Sequence, residues 1–241
     1  MNIKRITSEL LGFPLVLIAL LIGNKYVVDV LLTIVTILAM DEYLNAISKV
    51  CKPIRWVGYL SCISIALIHI IPEEAIPVIS ILAIPTILLI LFAHVIATNM
   101  KITFKDVAYT FLGIFYVVFF MMFVAIIDGM ENGKILIWYA MFAAWGTDIF
   151  AFFIGQKFGK HKFSKVSPKK SIEGCVAGTI GAVLMILIYT YIVNTYLGMN
   201  YSYIYVVIMG IILSLIGQIG DFVASSIKRY VDIKDYSNLI P

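Results

Sequence analysis

Eight stretches of mostly apolar residues, each near the length of a bilayer crossing, set what this chain can become. They lie at 8–23, 26–40, 56–71, 75–98, 107–127, 135–154, 174–197 and 203–223. A helix needs about 20 apolar residues to cross the hydrocarbon, and helix is the open-chain form that satisfies its own backbone there. The first three stretches are short and call for tilt, local thinning or partial re-entry. Hydrophobic residues make up 62% of the chain and charged residues 13%, about half the share of a soluble domain. A water-soluble fold of 241 residues could not bury so much, and neither a disordered chain nor a secreted disulfide scaffold has this composition. The expected fold is all-α: a polytopic integral membrane bundle of about eight transmembrane helices. N-terminal membrane helices (1–130) precede motif-bearing helices and a cytoplasmic loop (131–241), within one membrane domain. Lys4 and Arg5 precede the first stretch as they would in a signal peptide, but no small-residue cleavage site follows, so it reads as a retained helix.

The loops give an orientation. With the amino terminus in the cytoplasm, 16 of the 18 Lys and Arg residues fall on the cytoplasmic side, leaving only Lys25 and Lys134 outside. The net charge of +4 is thus explained by topology and does not point to nucleic acid. Cys51, Cys62 and Cys175 have no metal-ligand spacing and read as small buried residues, while His69, His94 and His161 are scattered. The loop at 155–173 carries six lysines and one acid. Contact with anionic headgroups accounts for the lysines but not for the acids in the neighbouring spans.

Those acids are Asp148, in WGTDIFAFFIG, and Asp221, in GQIGDFVASSIKR. A carboxylate at the centre of a membrane helix costs ~2.5–3.5 kcal/mol, less near the interface. Two readings stand: interfacial acids that snorkel or pair with a lysine, or a polar pocket open to the cytoplasm. If the last helix continues beyond the membrane, Asp221, Ser225, Lys228 and Arg229 fall at i, i+4, i+7 and i+8, on one face, with Lys234 and Asp235 about one turn further on. Such a stripe can hold a metal ion at its acid end and phosphate oxygens at its basic end. Gly174, Gly178 and Gly181 have the small-residue spacing of close helix packing. Ser171 and Glu173 mark a helix start, to which Pro168, Lys169 and Lys170 lead, and a helix amino terminus favours anions. No Walker-type loop or dinucleotide fingerprint is present.

SPKKSIEG (167–174), preceded by TDIFAFFIGQKFGKHK (147–162), resembles the central motif of the CDP-diacylglycerol synthases, or phosphatidate cytidylyltransferases. SSIKRYVDIKD (225–235) is similar to the first half of that family's signature: a serine, Lys-Arg, four residues, then Lys-Asp. Ser225, Lys228, Arg229, Lys234 and Asp235 fill those positions. In the family the signature runs on through Pro-Gly-His-Gly-Gly to Asp-Arg-x-Asp. This sequence ends at Pro241, ahead of that part, and has Ala224 where many members have glutamate. The expectation is either a fragment or a truncated product, with little or no catalysis by the sequence as it stands.

The resemblance implies the reaction of CTP with phosphatidate to give CDP-diacylglycerol and pyrophosphate. It implies catalytic roles for Ser225, Lys228, Arg229, Lys234 and Asp235, with the cations on phosphate oxygens and Ser225 hydrogen-bonding one of them. It assigns nucleotide binding to Ser167, Lys169, Lys170, Glu173 and Gly174, and metal binding to Asp148, Asp221 and Asp235. Magnesium, with room for a second cation, is the ion such carboxylates and phosphates select. The implied partners are CTP, phosphatidate and membrane lipid, with a homodimer as the assembly and no nucleic acid. The implied location is a bacterial inner membrane, with the amino terminus and active site cytoplasmic. The nearest rival is a CTP-dependent polyprenol or phytol kinase, against which the Lys-Arg…Lys-Asp spacing argues. A synthase acting on an ether lipid, a transporter with intramembrane ion sites, and an inactive truncated membrane protein are the other readings.

Overall fold

Apolar stretches with no exchangeable backbone partner in lipid become helices, and the computed structural model bears this out; it describes residues 20, 21, 23–164, 167 and 170–236. Its helices are α1 (Lys25–Ile47), α2 (Arg55–Leu67), α3 (Ile76–Ala97), α4 (Phe104–Gly129), α5 (Gly133–Phe158), α6 (Ile172–Tyr196) and α7 (Tyr203–Tyr230). Among the described residues there is no strand, only an isolated bridge between Lys162 and Ser171. Seven of the eight expected stretches coincide with these helices; the first, 8–23, lies almost wholly outside the described residues. Five helices, α3 to α7, are long and apolar enough to cross a membrane. α2 is a shorter apolar helix of 13 residues, so the expected count of eight goes beyond what the helices establish. Ile81 and Leu89 on α3 are 72% and 71% exposed, as lipid-facing residues should be.

The chain forms two compact units, one of Met1–Lys134 with Val231–Pro241, the other of Ile135–Tyr230. In the first, α1 is the central helix, burying Val28, Leu32, Met40 and Leu44 among others. Tyr43 lies against Gly113, where a Cβ would come within 2.2 Å of its ring, and donates its hydroxyl to the Tyr109 carbonyl at 2.9 Å. α4 contains a π-helical segment, Ile114–Phe119, which periodicity did not reveal. All three cysteines are free. Burial pushes the thiol of Cys51, in the loop after α1, up to about 11, in keeping with an inert side chain.

The second unit comprises most of α5 with α6 and α7. Its glycines explain how α5 and α6 come so close. A Cβ at Gly146 would lie 2.7 Å from the Gly181 carbonyl, one at Gly178 would lie 2.8 Å from the Thr147 carbonyl, and one at Gly174 would lie 2.9 Å from the Ala151 carbonyl. The two backbones are therefore in contact, the geometry expected of small residues at this spacing. Further along, Tyr139, Ala143, Ala182, Ile186 and Val206 form the buried core that joins the three helices. The Tyr139 and Thr190 hydroxyls pair within it at 3.0 Å. α7 has 28 residues, or ~42 Å at 1.5 Å per residue, against a hydrocarbon core of about 30 Å. A membrane helix of that length extends beyond the lipid at one end.

Candidate active site

The site is assembled within the second unit from the ends of α5, α6 and α7 and the lysine-rich segment that joins the first two. Ser171 is the N-cap of α6: its backbone is extended (φ −116°, ψ 156°) and its hydroxyl accepts the Gly174 N–H at 3.1 Å. The segment before it is pinned by backbone pairs. Ile172 N–H donates to the His161 carbonyl, Phe163 N–H to the Lys170 carbonyl and Lys170 N–H to the Ser167 carbonyl, all at 3.0 Å. Glu173 draws the same segment inward. Its carboxylate meets His161 Nδ1 at 2.6 Å and accepts the backbone N–H groups of Lys160 and His161 at 3.3 Å.

These bonds alter the expected role of the α6 amino terminus. The Ile172 and Gly174 N–H groups are already taken, and a carboxylate sits in the first turn. Beside the N–H groups that these bonds occupy, the segment presents the Lys170 side chain to an anion. Ser167 is half-buried, Gly174 is buried by packing against α5, and Lys169 lies outside the described residues.

Lys170 reaches across to α7. Its Nζ meets Asp221 Oδ2 at 2.5 Å and stands 4.8 Å from the centroid of the Phe222 ring. Phe163 stacks on the other aromatic partner, Phe222, at 4.6 Å, so an aromatic pair holds the loop beside the ion pair. Asp148, exposed on α5, is within electrostatic reach of both Asp221 and Lys170. Lys170 and Asp221, far apart in the chain, are thus paired, and Asp148 on the neighbouring helix lies near enough to feel both charges.

α7 remains helical to Tyr230, so Asp221, Ser225, Lys228 and Arg229 do share a face. Ser225 and Lys228 are half-buried, and Arg229 is exposed. The helix stops before Asp232, which takes the left-handed conformation (φ 53°), so Lys234 and Asp235 lie beyond the helix, exposed in the following segment. A row of polar residues lies deeper along α7, and sequence reasoning missed it: Ser214 and Gln218, with Thr147 and Thr179 from the neighbouring helices.

Chemically, the arrangement suits phosphate transfer. Two acids near one lysine can exchange that lysine for a cation when phosphate oxygens arrive to claim it. Among the described residues no group of three or more His, Cys, Asp or Glu is placed to hold a metal by itself. Two carboxylates completed by phosphate oxygens and water are nonetheless a common setting for magnesium.

A family model described as the cytidylyltransferase family matches residues 3–241. The phosphatidate cytidylyltransferase of Bacillus subtilis (strain 168) is 32% identical over 155 residues, covering 64% of this chain and 56% of that protein. The phosphatidate cytidylyltransferase of Staphylococcus aureus (strain COL) is 28% identical over 234 residues, covering 94% of this chain and 85% of its own length. That of Staphylococcus haemolyticus (strain JCSC1435) is 29% identical over 213 residues, with coverages of 86% and 78%. The chain therefore spans a little over half the length of the Bacillus relative and most of the two staphylococcal ones.

Proposed function

The chain belongs to the cytidylyltransferase family, and we propose that it transfers the cytidylyl group of CTP to phosphatidate, releasing pyrophosphate and forming CDP-diacylglycerol. The observation that carries this reading is the Lys170–Asp221 pair with Asp148 in electrostatic reach, at the end of the unit that holds the lysine-rich loop. A phosphatidate oxygen attacks the α-phosphorus of CTP, the bond to the β-phosphate breaks, and pyrophosphate leaves with the electron pair. No serine or cysteine nucleophile is needed, because the acceptor already carries an anionic oxygen. The chain's own task is to bring two polyanions together and to offset the charge that builds between them.

Lys170 is suited to release Asp221 and take an oxygen of the triphosphate. Lys228 and Arg229, along the same face of α7, are suited to the other phosphates, with Ser225 as a hydrogen-bond donor between them. Asp148 and Asp221 would hold magnesium, which when bound neutralises phosphate charge and stabilises the leaving group. Glu173 contributes by fixing the loop through His161. The positive-inside count supports a cytoplasmic face for this site and an inner-membrane location. CTP would then arrive from water and phosphatidate from the leaflet, and a homodimer belongs to the same reading.

The family match and the names of the relatives favour this reading over a CTP-dependent lipid kinase. The test is pyrophosphate release by the purified full-length protein in phosphatidate–detergent micelles with magnesium. Release that requires both CTP and phosphatidate is expected, and turnover with a polyprenol or phytol instead would move the assignment to the kinase.

A further inference from the structure

We propose that Gln218, together with the hydroxyls of Thr147, Thr179 and Ser214, is a positioning clamp that sets the mutual placement of Asp148, Lys170 and Asp221. The inference rests on the site assignment above but can be tested without it.

The Gln218 amide Nε2 lies 3.2 Å from the Cys175 carbonyl, 3.1 Å from Thr179 Oγ1 and 3.1 Å from Ser214 Oγ. Only an N–H can face a backbone carbonyl, so the Cys175 contact fixes which way the amide points. Ser214 Oγ pairs with Thr147 Oγ1 at 2.8 Å, as donor where the Thr147 proton goes to the Ala143 carbonyl, and lies 3.3 Å from Thr179 Oγ1. The network thus ties all three helices that carry the site: Thr147 on α5, Cys175 and Thr179 on α6, and Ser214 and Gln218 on α7.

On each helix one residue of the network stands close in sequence to one of the groups it would place. Thr147 is next to Asp148, Cys175 lies one turn into the helix that Lys170 precedes, and Gln218 lies one turn before Asp221. Thr147 and Ser214 are 5% and 1% exposed, so water does not compete for the bond between them, and Thr179 and Gln218 are half-buried. In such surroundings an unmade hydrogen bond is costly, and the three helices are held to the one rotation and height that satisfies every member. Hydroxyls and an amide suit this task because they carry no charge that would compete with the acids and the lysine for phosphate. None of these side chains needs to touch substrate.

The test uses the full chain and two shape-preserving variants, Gln218→Met and Thr147→Val, with Thr147→Ser as the conservative control. The activity-independent readout is zero-length carbodiimide coupling of Lys170 to Asp221, followed by peptide mass spectrometry of detergent-solubilised protein well below its melting temperature. The expected result is ready coupling in the parent, several-fold less in Gln218→Met and Thr147→Val, and recovery in Thr147→Ser. In phosphatidate micelles kcat falls about tenfold or more in the first two while KM for phosphatidate holds, the pattern of a misplaced reacting geometry rather than lost substrate binding. Parent-level coupling and kcat in folded Thr147→Val and Gln218→Met overturn the clamp, as does activity that falls only with the folded fraction. If Gln218→Met fails to fold, the Thr147→Val and Thr147→Ser pair decides alone. If the parent makes no CDP-diacylglycerol, the functional reading fails while the coupling yields still decide the clamp.

Discussion

Replacing Lys170 by methionine separates two quantities that usually move together. Methionine keeps most of the length and apolar bulk of lysine and removes the charge. The Lys170 and Asp221 side chains are 29% and 57% exposed, so their ion pair is solvent-screened and contributes to stability on the scale of a surface pair, about 0.2–1 kcal/mol. The melting temperature in detergent should therefore move by only a few degrees. The same ammonium, aimed at phosphate oxygens, offsets charge that develops in the transition state. Losing one such preorganised group costs roughly 2.7–4 kcal/mol, or a 10²–10³-fold drop in kcat. The assay is CTP-dependent pyrophosphate release in phosphatidate micelles, paired with a thermal melt of the same preparation. The double exchange Lys170→Asp with Asp221→Lys restores the ion pair but puts each charge on the wrong helix, so it should melt normally and stay inactive. Near-parental turnover in Lys170→Met, or recovery of turnover in the double exchange, would refute a phosphate-binding role and leave the pair as a structural tie.

The other predictions follow from neighbouring features. Asp221→Asn should nearly abolish pyrophosphate release and raise the magnesium concentration needed for half-maximal rate, and an unchanged magnesium titration removes Asp221 from metal binding. Gly178→Val places a Cβ 2.8 Å from the Thr147 carbonyl; prying α5 from α6 should cost about 1–3 kcal/mol, read as a lower melting temperature, whereas an unaltered melt means that the helices do not touch there. Ser171→Ala removes the cap of α6 and should cost about 1 kcal/mol, with Ser171→Asp largely restoring it. Glu173→Gln should loosen the loop held through His161 and raise KM for CTP more than it lowers kcat, and equal effects on both would place Glu173 closer to the chemistry.

Much of the fold could be read from the sequence because lipid leaves a chain few choices. Stretches such as 75–98 and 174–197 differ by only a residue or two from α3 and α6. The stripe from Asp221 to Arg229 was equally legible, since a helix that runs on past the apolar stretch fixes those positions on one face. The convergence of Asp148 with Asp221 was suggested by the cost of placing two acids in membrane spans. The tie through Lys170 then supplied the link that periodicity cannot.

What escaped the sequence has a common cause. Thr147, Thr179 and Ser214 are hydroxyls in largely apolar stretches, where each can bond the carbonyl four residues back and needs no other partner, and Gln218 is a single amide. Thr147 and Thr179 do bond such carbonyls, at 2.8 Å and 3.2 Å. Only the three-dimensional packing shows that they also face one another. The clamp of His161 on Glu173 and the Phe163–Phe222 stack arise likewise from the turn of a loop whose path no spacing encodes. The helix ends at Tyr230 and Asp232 takes the left-handed conformation, so Lys234 and Asp235, expected about one turn beyond Arg229, lie past the helix.

The central claim is that the α-phosphorus of CTP, not the γ-phosphorus, passes to the lipid. Two parallel reactions with phosphatidate and magnesium test it, one with CTP labelled at the α-phosphate and one with CTP labelled at the γ-phosphate. Cytidylyl transfer puts the α-label in the extracted lipid and the γ-label in pyrophosphate, in equal amounts. A γ-label in the lipid with the α-label in CDP, or no label in any lipid, contradicts it.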